Sequence, residues 1–291
     1  MQENKAQEIT FWDHLDELRK VFFRIALIVV LLMVVAFLYK DTVFDIILAP
    51  RNSDFILYQW INRLGIWIGQ PSIQVEPFDV ELINIELASQ FFIHMSTSFY
   101  VGILLASPYI LYEIYRFVSP ALYEKERNIS VKVLLSASLL FLTGVLLNYF
   151  LIFPLSFRFL ANYHVSELID NKISISSYID TFLALSVMLG ATFEIPVLTY
   201  FFAKLGFITS SFLKKYRRQA LVVILIVAAI ITPTTDIFTL LLSIPMYALY
   251  ELSIGVVKMT RAKTSRRITL CRLSHLSINS PTPFSGIGVN T

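Results

Sequence analysis

Long apolar runs separated by short polar segments dominate the chain. Four runs have 18 to 24 residues, which is enough for a helix rising about 1.5 Å per residue to cross a hydrocarbon core of about 30 Å. They are residues 22–39, 91–112, 131–153 and 179–202. Two shorter runs follow, at residues 220–231 and from residue 237 to about residue 250 or 257, the second interrupted by Pro245 and Glu251. The pattern predicts an all-α integral membrane protein with six transmembrane helices, of which the last two are short.

The positive charges between these runs predict an orientation. If the N-terminus is cytoplasmic, nineteen lysines and arginines lie on the cytoplasmic side and five on the opposite side. Such a bias follows the positive-inside rule, so we expect both termini in the cytoplasm. An added or missing span would break the alternation, and the charges therefore also favour six spans.

Composition excludes other classes of protein. The chain is 56% hydrophobic and 15% charged, with a mean hydropathy of +0.67, whereas soluble domains carry about a quarter charged residues. The net charge of +3 is scattered among apolar runs, which argues against a nucleic-acid surface. Cys271 is the single cysteine, so no internal disulfide forms. The polar first ten residues do not resemble a cleaved signal peptide.

Three regions follow from this pattern. Residues 1–21 read as a cytoplasmic amphipathic helix that starts at a capping box, Thr10 to Asp13. Residues 22–257 form the six-span core, whose first external loop, residues 40–89, carries Trp60 and Trp67 and is expected to form helices at the outer interface. Residues 258–291 form a cytoplasmic tail, expected to be disordered beyond about Arg267.

The first cytoplasmic loop combines aromatic and acidic side chains. Prolines 108 and 120 are expected to break the helices there. The plain interpretation is a solvated loop with interfacial aromatics. The alternative is a site for a peptide that bears guanidinium groups, because arginine stacks on aromatic rings and pairs with carboxylates. The rings and carboxylates concerned are Tyr109, Tyr112, Tyr115, Phe117 and Tyr123, with Glu113, Glu124 and Glu126.

One carboxylate, Glu194, lies within the fourth apolar run. A charged group at the centre of a bilayer costs about 2.5–3.5 kcal/mol on insertion scales. We expect Glu194 to be protonated or to face a partly hydrated groove, near Thr192, Ser186, Asn148 and Thr143. A structural hydrogen bond to a neighbouring helix is the alternative.

Known catalytic and metal-binding patterns are missing from the sequence. The four histidines are scattered, and no HExxH, Walker, GxGxxG or nucleophile-elbow motif occurs. We therefore expect neither an enzyme nor a cofactor-binding or metal-binding protein.

Several motifs, in order, resemble the TatC family, the large subunit of the twin-arginine protein translocase. They are HLDELR at residues 14–19, SPYILY at 107–112, FVSPALYEKER at 117–127, FEIP at 193–196, ITPTTD at 231–236 and SIPMY at 243–247. The resemblance covers about residues 11–257. The turn at 232–236 is one residue longer than the family's usual TPPD, and the tail resembles nothing in the family.

The resemblance implies a receptor in the bacterial cytoplasmic (inner) membrane. Family members bind paired-arginine signal peptides of folded cargo at the cytoplasmic face. They assemble with TatA- and TatB-type single-span proteins and with further copies of themselves, and the proton gradient drives export. By position, Glu17, Phe117, Glu126 and Arg127 match the signal-peptide site, and Glu194 matches the family's intramembrane acid. A proton-coupled transporter of a small solute and a structural scaffold are the alternatives.

The shortness of the final hairpin predicts a docking edge. Residues 220–231 make a helix of about 18 Å, less than the bilayer core. The turn at its outer end would therefore lie within the membrane, where its polar groups need cover. We expect Thr232, Asp236 and Thr239 to contribute to a surface for single-span partner helices.

Overall fold

The computed structural model describes the backbone of residues 11–69, 80–118, 130–163, 172–231 and 237–278. Side chains are described over slightly shorter ranges, 15–69, 80–117, 133–163, 172–231 and 239–259. The predicted site residues Glu126, Arg127, Thr232 and Asp236 lie outside these ranges.

Nearly all of the described backbone is helical. The helices are α1 (Phe11–Leu38), α2 (Lys40–Leu48), α3 (Ile56–Ile68), α4 (Ser89–Val118), α5 (Ser130–Leu147), α6 (Phe153–Asn162), α7 (Ile175–Phe193), α8 (Ile195–Lys204), α9 (Ser210–Lys215), α10 (Arg217–Ile231) and α11 (Ile237–Ile278). A 3₁₀ turn, Ala49–Arg51, follows α2, and a π-helical turn, Asn148–Ile152, joins α5 to α6. Two short parallel strands, β1 (Leu82–Ile83) and β2 (Ile173–Ser174), pair Leu82 with Ile173.

Five helical stretches of the described chain are long and apolar enough to cross a membrane. They are Leu15–Leu38, Ser89–Phe117, Val133–Asn162, Ile175–Lys204 and Thr239–Met259. Helix α10 is short, with 15 residues, as predicted for the fifth span. The last span differs from the prediction, because its apolar stretch has 21 residues and α11 continues through Pro245. Helix α4 likewise continues through Pro108. Membrane helices tolerate proline where neighbouring helices satisfy the freed backbone groups.

Helices α1 and α4 form an antiparallel pair along most of their length. Arg24 of α1 contacts Glu113 of α4 at one end, and Phe37 stacks on His94 at the other, with ring centroids 3.9 Å apart. The backbones approach closely between these points, because a Cβ added at Gly102 would lie 2.9 Å from the backbone nitrogen of Met33. Small residues permit this kind of packing in membranes.

The remaining spans pack around the α7–α8 element. Helix α5 lies against α7, while α10 and α11 form a hairpin whose α11 packs on α8. One buried cluster joins them and includes Leu189 of α7, Ala228 of α10, and Leu242 and Met246 of α11. At the basic end of the hairpin, Arg217 pairs with Glu251 at 2.7 Å.

The first long loop forms the helices that its sequence predicts, α2 and α3. Three tyrosine hydroxyls hold these helices to the spans. Tyr149 donates to the carbonyl of Ile46, Tyr178 donates to that of Ile47, and Tyr58 of α3 donates to that of Pro154, each at 3.0 Å. Burial raises the pKa of Tyr58 to about 12, although nearby Arg158 opposes this shift. Helices α2 and α3 thus form a cap packed on the spans.

The long tail helix differs from the expectation for the C-terminus. Disorder was expected beyond about Arg267, whereas α11 continues as helix to Ile278. The prolines, glycines and asparagines that motivated this expectation lie further on, in residues 279–291, which are outside the described residues.

Candidate functional site

A buried ion pair links α1 and α4 near their basic ends. The Nη2 of Arg24 donates to Oε2 of Glu113 at 3.0 Å, and the hydroxyl of Tyr109 donates to Oε1 at 2.9 Å. The side chain of Glu113 is 1% exposed, while that of Arg24 is 35% exposed. The pair therefore joins two helices through a carboxylate that is almost entirely removed from solvent.

This arrangement corrects the interpretation of the first cytoplasmic loop. Glu113 was expected to supply an accessible carboxylate beside an aromatic surface, but it is buried and already bound to Arg24. Two of the described rings also have different surroundings. Tyr112 is exposed, whereas Tyr115 packs on Phe201 of α8 with centroids 5.6 Å apart. Glu113 takes part in the packing of α1 on α4, so a bound peptide would need other carboxylates as partners.

The structure brings two of the predicted recognition residues to one end of the molecule. Glu17 lies two helical turns before Arg24 on α1, about 10 Å further along the axis, and Phe117 lies one turn after Glu113 on α4, about 6 Å further. Because the helices are antiparallel, both residues lie beyond the ion pair on the same side of it. Residues 119–129, which contain Glu126 and Arg127, continue from this end of α4.

Charge on this end of α1 remains accessible. Glu17 and the neighbouring Asp16 are exposed. The guanidinium carbon of Arg19 lies 5.6 Å from the ring centroid of Phe23 on the same helix. Glu17 is thus an exposed carboxylate on a helix whose position is fixed by a buried ion pair, an arrangement suited to binding a cationic peptide.

Glu194 lies at a break between α7 and α8. Pro196 lacks an N–H group, so it cannot continue the helical hydrogen bonding, and the amides of Val197 and Leu198 both donate to the carbonyl of Glu194. The side chain of Glu194 is buried, and its Oε1 has no hydrogen-bond partner among the described residues. The carboxyl is therefore buried but not fully hydrogen-bonded, and a partly hydrated groove beside it stays a prediction.

The polar residues expected around Glu194 make other contacts. The side-chain amide of Asn148 donates to the hydroxyl of Ser186 at 2.8 Å, and both residues are fully buried. The hydroxyls of Thr192 and Thr143 donate to carbonyls of their own helices. Ser186 lies two turns from Glu194, about 12 Å along α7. The Asn148–Ser186 bond thus joins the π-helical turn to α7, while the two threonines bond within their own helices, and none of these groups bonds to the acid.

Of the three residues predicted to contact partner helices, Thr232 and Asp236 lie outside the described residues. Thr239 is buried, with 6% exposure, so the proposed role of its hydroxyl at a partner surface is wrong. The lipid-facing surface of α11 is apolar instead and includes Leu240 and Ile244, which lie one turn apart and are 57% and 66% exposed.

The Arg24–Glu113 pair was missed by sequence reasoning, although a signal existed. Arg24 lies within the first apolar run, where a charged group requires a partner or access to the interface. In the sequence, Arg24 contributes to the orientation prediction as one of the cytoplasmic positive charges, and no partner was assigned to it. In the described side chains, no group of three or more His, Cys, Asp and Glu residues lies close enough together to hold a metal ion.

Comparison with known proteins gives consistent matches. The family model for the Sec-independent protein translocase protein TatC matches residues 13–270. A TatC protein of Blattabacterium sp. subsp. Periplaneta americana is 33% identical over 256 residues, covering 87% of this chain and 96% of that protein. The TatC protein of Escherichia coli K12 is 35% identical over 198 residues, covering 68% of this chain and 76% of its own. A crystal structure of the twin arginine translocase receptor TatC matches with a TM-score of 0.67 at 33% identity, covering 84% of this chain and 98% of that one.

Proposed function

We propose that this chain, which belongs to the TatC family of Sec-independent protein translocases, binds the paired-arginine signal peptides of folded cargo at its basic end. The chain is a multi-pass helical membrane protein and a translocase component. The relatives support this function over a solute transporter, because they are all translocase proteins.

The antiparallel α1–α4 pair is the observation that carries the proposal. It holds exposed Glu17 at the same end of the molecule as Phe117, and Glu126 follows Phe117 by nine residues in sequence. Two carboxylates on separate segments suit two neighbouring guanidinium groups, which bind carboxylates through paired hydrogen bonds.

The proposed orientation places this end in the cytoplasm, in the bacterial inner membrane. Its support is the excess of lysine and arginine at this end of the spans. Cargo peptides would then meet Glu17 before export. Assembly with TatA- and TatB-type single-span proteins, self-association in a larger complex and transport driven by the proton gradient complete the proposed function.

Removing the charge of Glu17 should weaken peptide binding. We expect Glu17→Gln to reduce crosslinking of a twin-arginine peptide about fivefold, since an exposed charged pair contributes about 1 kcal/mol or less. The neighbouring exposed acid gives a matched control, and Asp16→Asn should crosslink like the wild type. The measurement is the yield from a photoreactive peptide at limiting concentration in membranes.

Glu126→Ala extends the same experiment to the loop, with a lysine-for-arginine peptide as the ligand control. Peptide recognition at this end would be refuted by yields that stay equal in wild type, Glu17→Gln, Glu126→Ala and the double variant. Equal yields for Glu126→Ala alone would remove Glu126 from the site and leave Glu17 in place.

The exposed face of the final hairpin is the proposed contact for partner helices. Cysteines placed at Leu240 or Ile244, in a chain carrying Cys271→Ser, should crosslink to a matched cysteine in a TatA- or TatB-type helix. Thr239→Cys is the control, because this position is buried and should give at least several-fold less product. An assembled complex with no product from Leu240, Ile244 or exposed Ile230 of α10 would disprove the contact.

A further inference from the structure

Arg51 lies in a turn that packs against the end of a span, on the side of the molecule opposite the basic end. The hydroxyl of Tyr58 is within hydrogen-bond distance of the carbonyls of Pro50 and Pro154, at 3.3 Å and 3.0 Å. Pro154 directly follows the apolar run of residues 131–153. A run of this length crosses the hydrocarbon core. The turn that carries Arg51 is therefore at the boundary between the core and the lipid head groups.

The guanidinium group of Arg51 is partly buried and lacks a counter-charge in the described part of the chain. The residue is only partly exposed, and its Nε is buried without a hydrogen-bond partner. The ion pairs found among the described side chains, Arg24–Glu113 and Arg217–Glu251, do not include it. Because burying a cation without a partner is costly, this arrangement indicates a ligand that carries negative charge.

A buried hydroxyl is the second unpaired group near this turn. Ser156 lies on α6, which packs on the 3₁₀ turn that contains Arg51. It is 6% exposed, and its Oγ has no hydrogen-bond partner among the described residues. Arg51 is also close enough to the hydroxyl of Tyr178 to interact with it electrostatically, but that hydroxyl already donates to the carbonyl of Ile47. A guanidinium group and a free hydroxyl are both donors suited to phosphate oxygens.

Exposed apolar side chains indicate that lipid reaches the height of this turn. The exposed face of α3 begins five residues after Arg51, and its exposed fractions range from 50% to 84% at Ile56, Trp60, Leu64 and Trp67. These four positions lie on one side of the helix, and tryptophan is enriched where membrane meets water. The surroundings of Arg51 therefore favour a phospholipid over free phosphate as the source of the negative charge.

We propose that Arg51 binds the phosphate group of a phospholipid in the leaflet at this end of the spans, with the hydroxyl of Ser156 as a second donor. The phosphate would neutralise the guanidinium group and so stabilise the turn between α2 and α3 against α6. Because the peptide site is proposed at the opposite end of the molecule, lipid binding here does not depend on it.

Native mass spectrometry of the full-length, delipidated protein tests this proposal. The probes are phosphatidylglycerol and a diacylglycerol with identical acyl chains, which lacks the phosphate. We expect wild type to retain about tenfold more phosphatidylglycerol, the ratio that charge-assisted hydrogen bonds can provide. Arg51→Gln should remove most of this preference, and Ser156→Ala should reduce it about threefold. Arg63→Gln removes an exposed arginine of α3 at the same end and should leave the preference unchanged.

Thermal unfolding distinguishes a ligand site from a structural role of Arg51. An unpaired cation destabilises the protein that lacks the lipid, so delipidated Arg51→Gln should unfold at the same temperature as wild type or a higher one. Phosphatidylglycerol should raise the midpoint of wild type by about 3 °C and that of the variant by much less. If Arg51 only supports the packing, the variant would unfold at a lower temperature without lipid, and the proposal would be wrong.

Inorganic phosphate separates the two sources of the ligand. It should not protect wild type, because the site is proposed to take phosphate together with acyl chains. Protection of wild type but not of Arg51→Gln by inorganic phosphate, without any preference for phosphatidylglycerol, would assign the site to free phosphate and overturn the lipid proposal. Equal retention of the two lipids by wild type without such protection, or an unchanged preference in folded Arg51→Gln, would overturn the site itself.

Discussion

The free energy of unfolding of the Arg24→Leu variant is expected to be about 3 kcal/mol lower than that of the wild type. The substitution leaves the carboxylate of Glu113 without its cation, although this side chain is only 1% exposed. Removing one partner of a buried ion pair costs about 3–5 kcal/mol, because the remaining charge is uncompensated. The Arg24 side chain is 35% exposed, so water can partly replace it, and the loss should fall at the low end of this range.

A double variant distinguishes the burial of an unpaired charge from the loss of a favourable contact. Arg24→Leu/Glu113→Leu removes both charges and should recover most of the lost stability, since apolar replacements of buried pairs are often neutral. The measurement is the free energy of unfolding in detergent, followed by denaturant titration. If the double variant is less stable than Arg24→Leu alone, the explanation by uncompensated charge is wrong.

A second ion pair among the described side chains provides a matched control. Arg217 and Glu251 are 45% and 35% exposed and lie 2.7 Å apart. An exposed pair of this kind contributes about 1 kcal/mol at most, so Arg217→Leu should change the stability far less than Arg24→Leu. Equal losses for the two variants would show that the burial of Glu113 does not determine the effect.

The spans were predictable because each depends on a local property, the length of an apolar run. Residues 22–39 and 91–112 both fall inside helices, α1 and α4, that extend further into polar sequence at their ends. The error for the last span has the same origin. Pro245 and Glu251 appeared to interrupt the run, but contacts with α10 and α8 let α11 continue as one helix.

The site was less predictable because burial depends on partners distant in sequence. Glu113 looked like one of several loop carboxylates, but it is buried and bound to Arg24, 89 positions away, as well as to Tyr109 on its own helix. Thr239 shows the same limit. A hydroxyl on a short hairpin could face lipid or protein, and the packing of α11 decides that it is buried. The exposure of Glu17 could be predicted from sequence because this residue lies on the polar face of an amphipathic helix.

Close backbone approach at Gly144 leads to the second large expected effect. A Cβ added there would lie 2.8 Å from the carbonyl oxygen of Leu189 and 2.9 Å from Cγ of Phe193. The nearest atom belongs to the backbone of α7, so the clash cannot be relieved by turning a side chain. We expect Gly144→Ala to lower the free energy of unfolding by about 2 kcal/mol, within the range for overpacked interiors.

Gly255 of α11 is the control for helix propensity, because a Cβ added there meets nothing within 4 Å. Gly255→Ala should raise the stability by up to about 1 kcal/mol, since alanine favours helix over glycine by this amount. The same chemical change should thus have opposite signs at the two positions. If both variants have the same free energy of unfolding as the wild type, the stability of the protein does not depend on the close contact between α5 and α7.

The clash at Gly144 should also affect the break that carries Glu194. Phe193 is the residue that the new methyl group would displace, and it precedes Glu194 at the end of α7. Gly102→Ala creates a similar backbone clash, with Met33, but it separates α1 from α4 instead. We therefore expect Gly144→Ala to leave crosslinking of the twin-arginine peptide intact at matched amounts of folded protein, and Gly102→Ala to reduce it. Loss of crosslinking in both variants would mean that the two halves of the helix array do not respond independently.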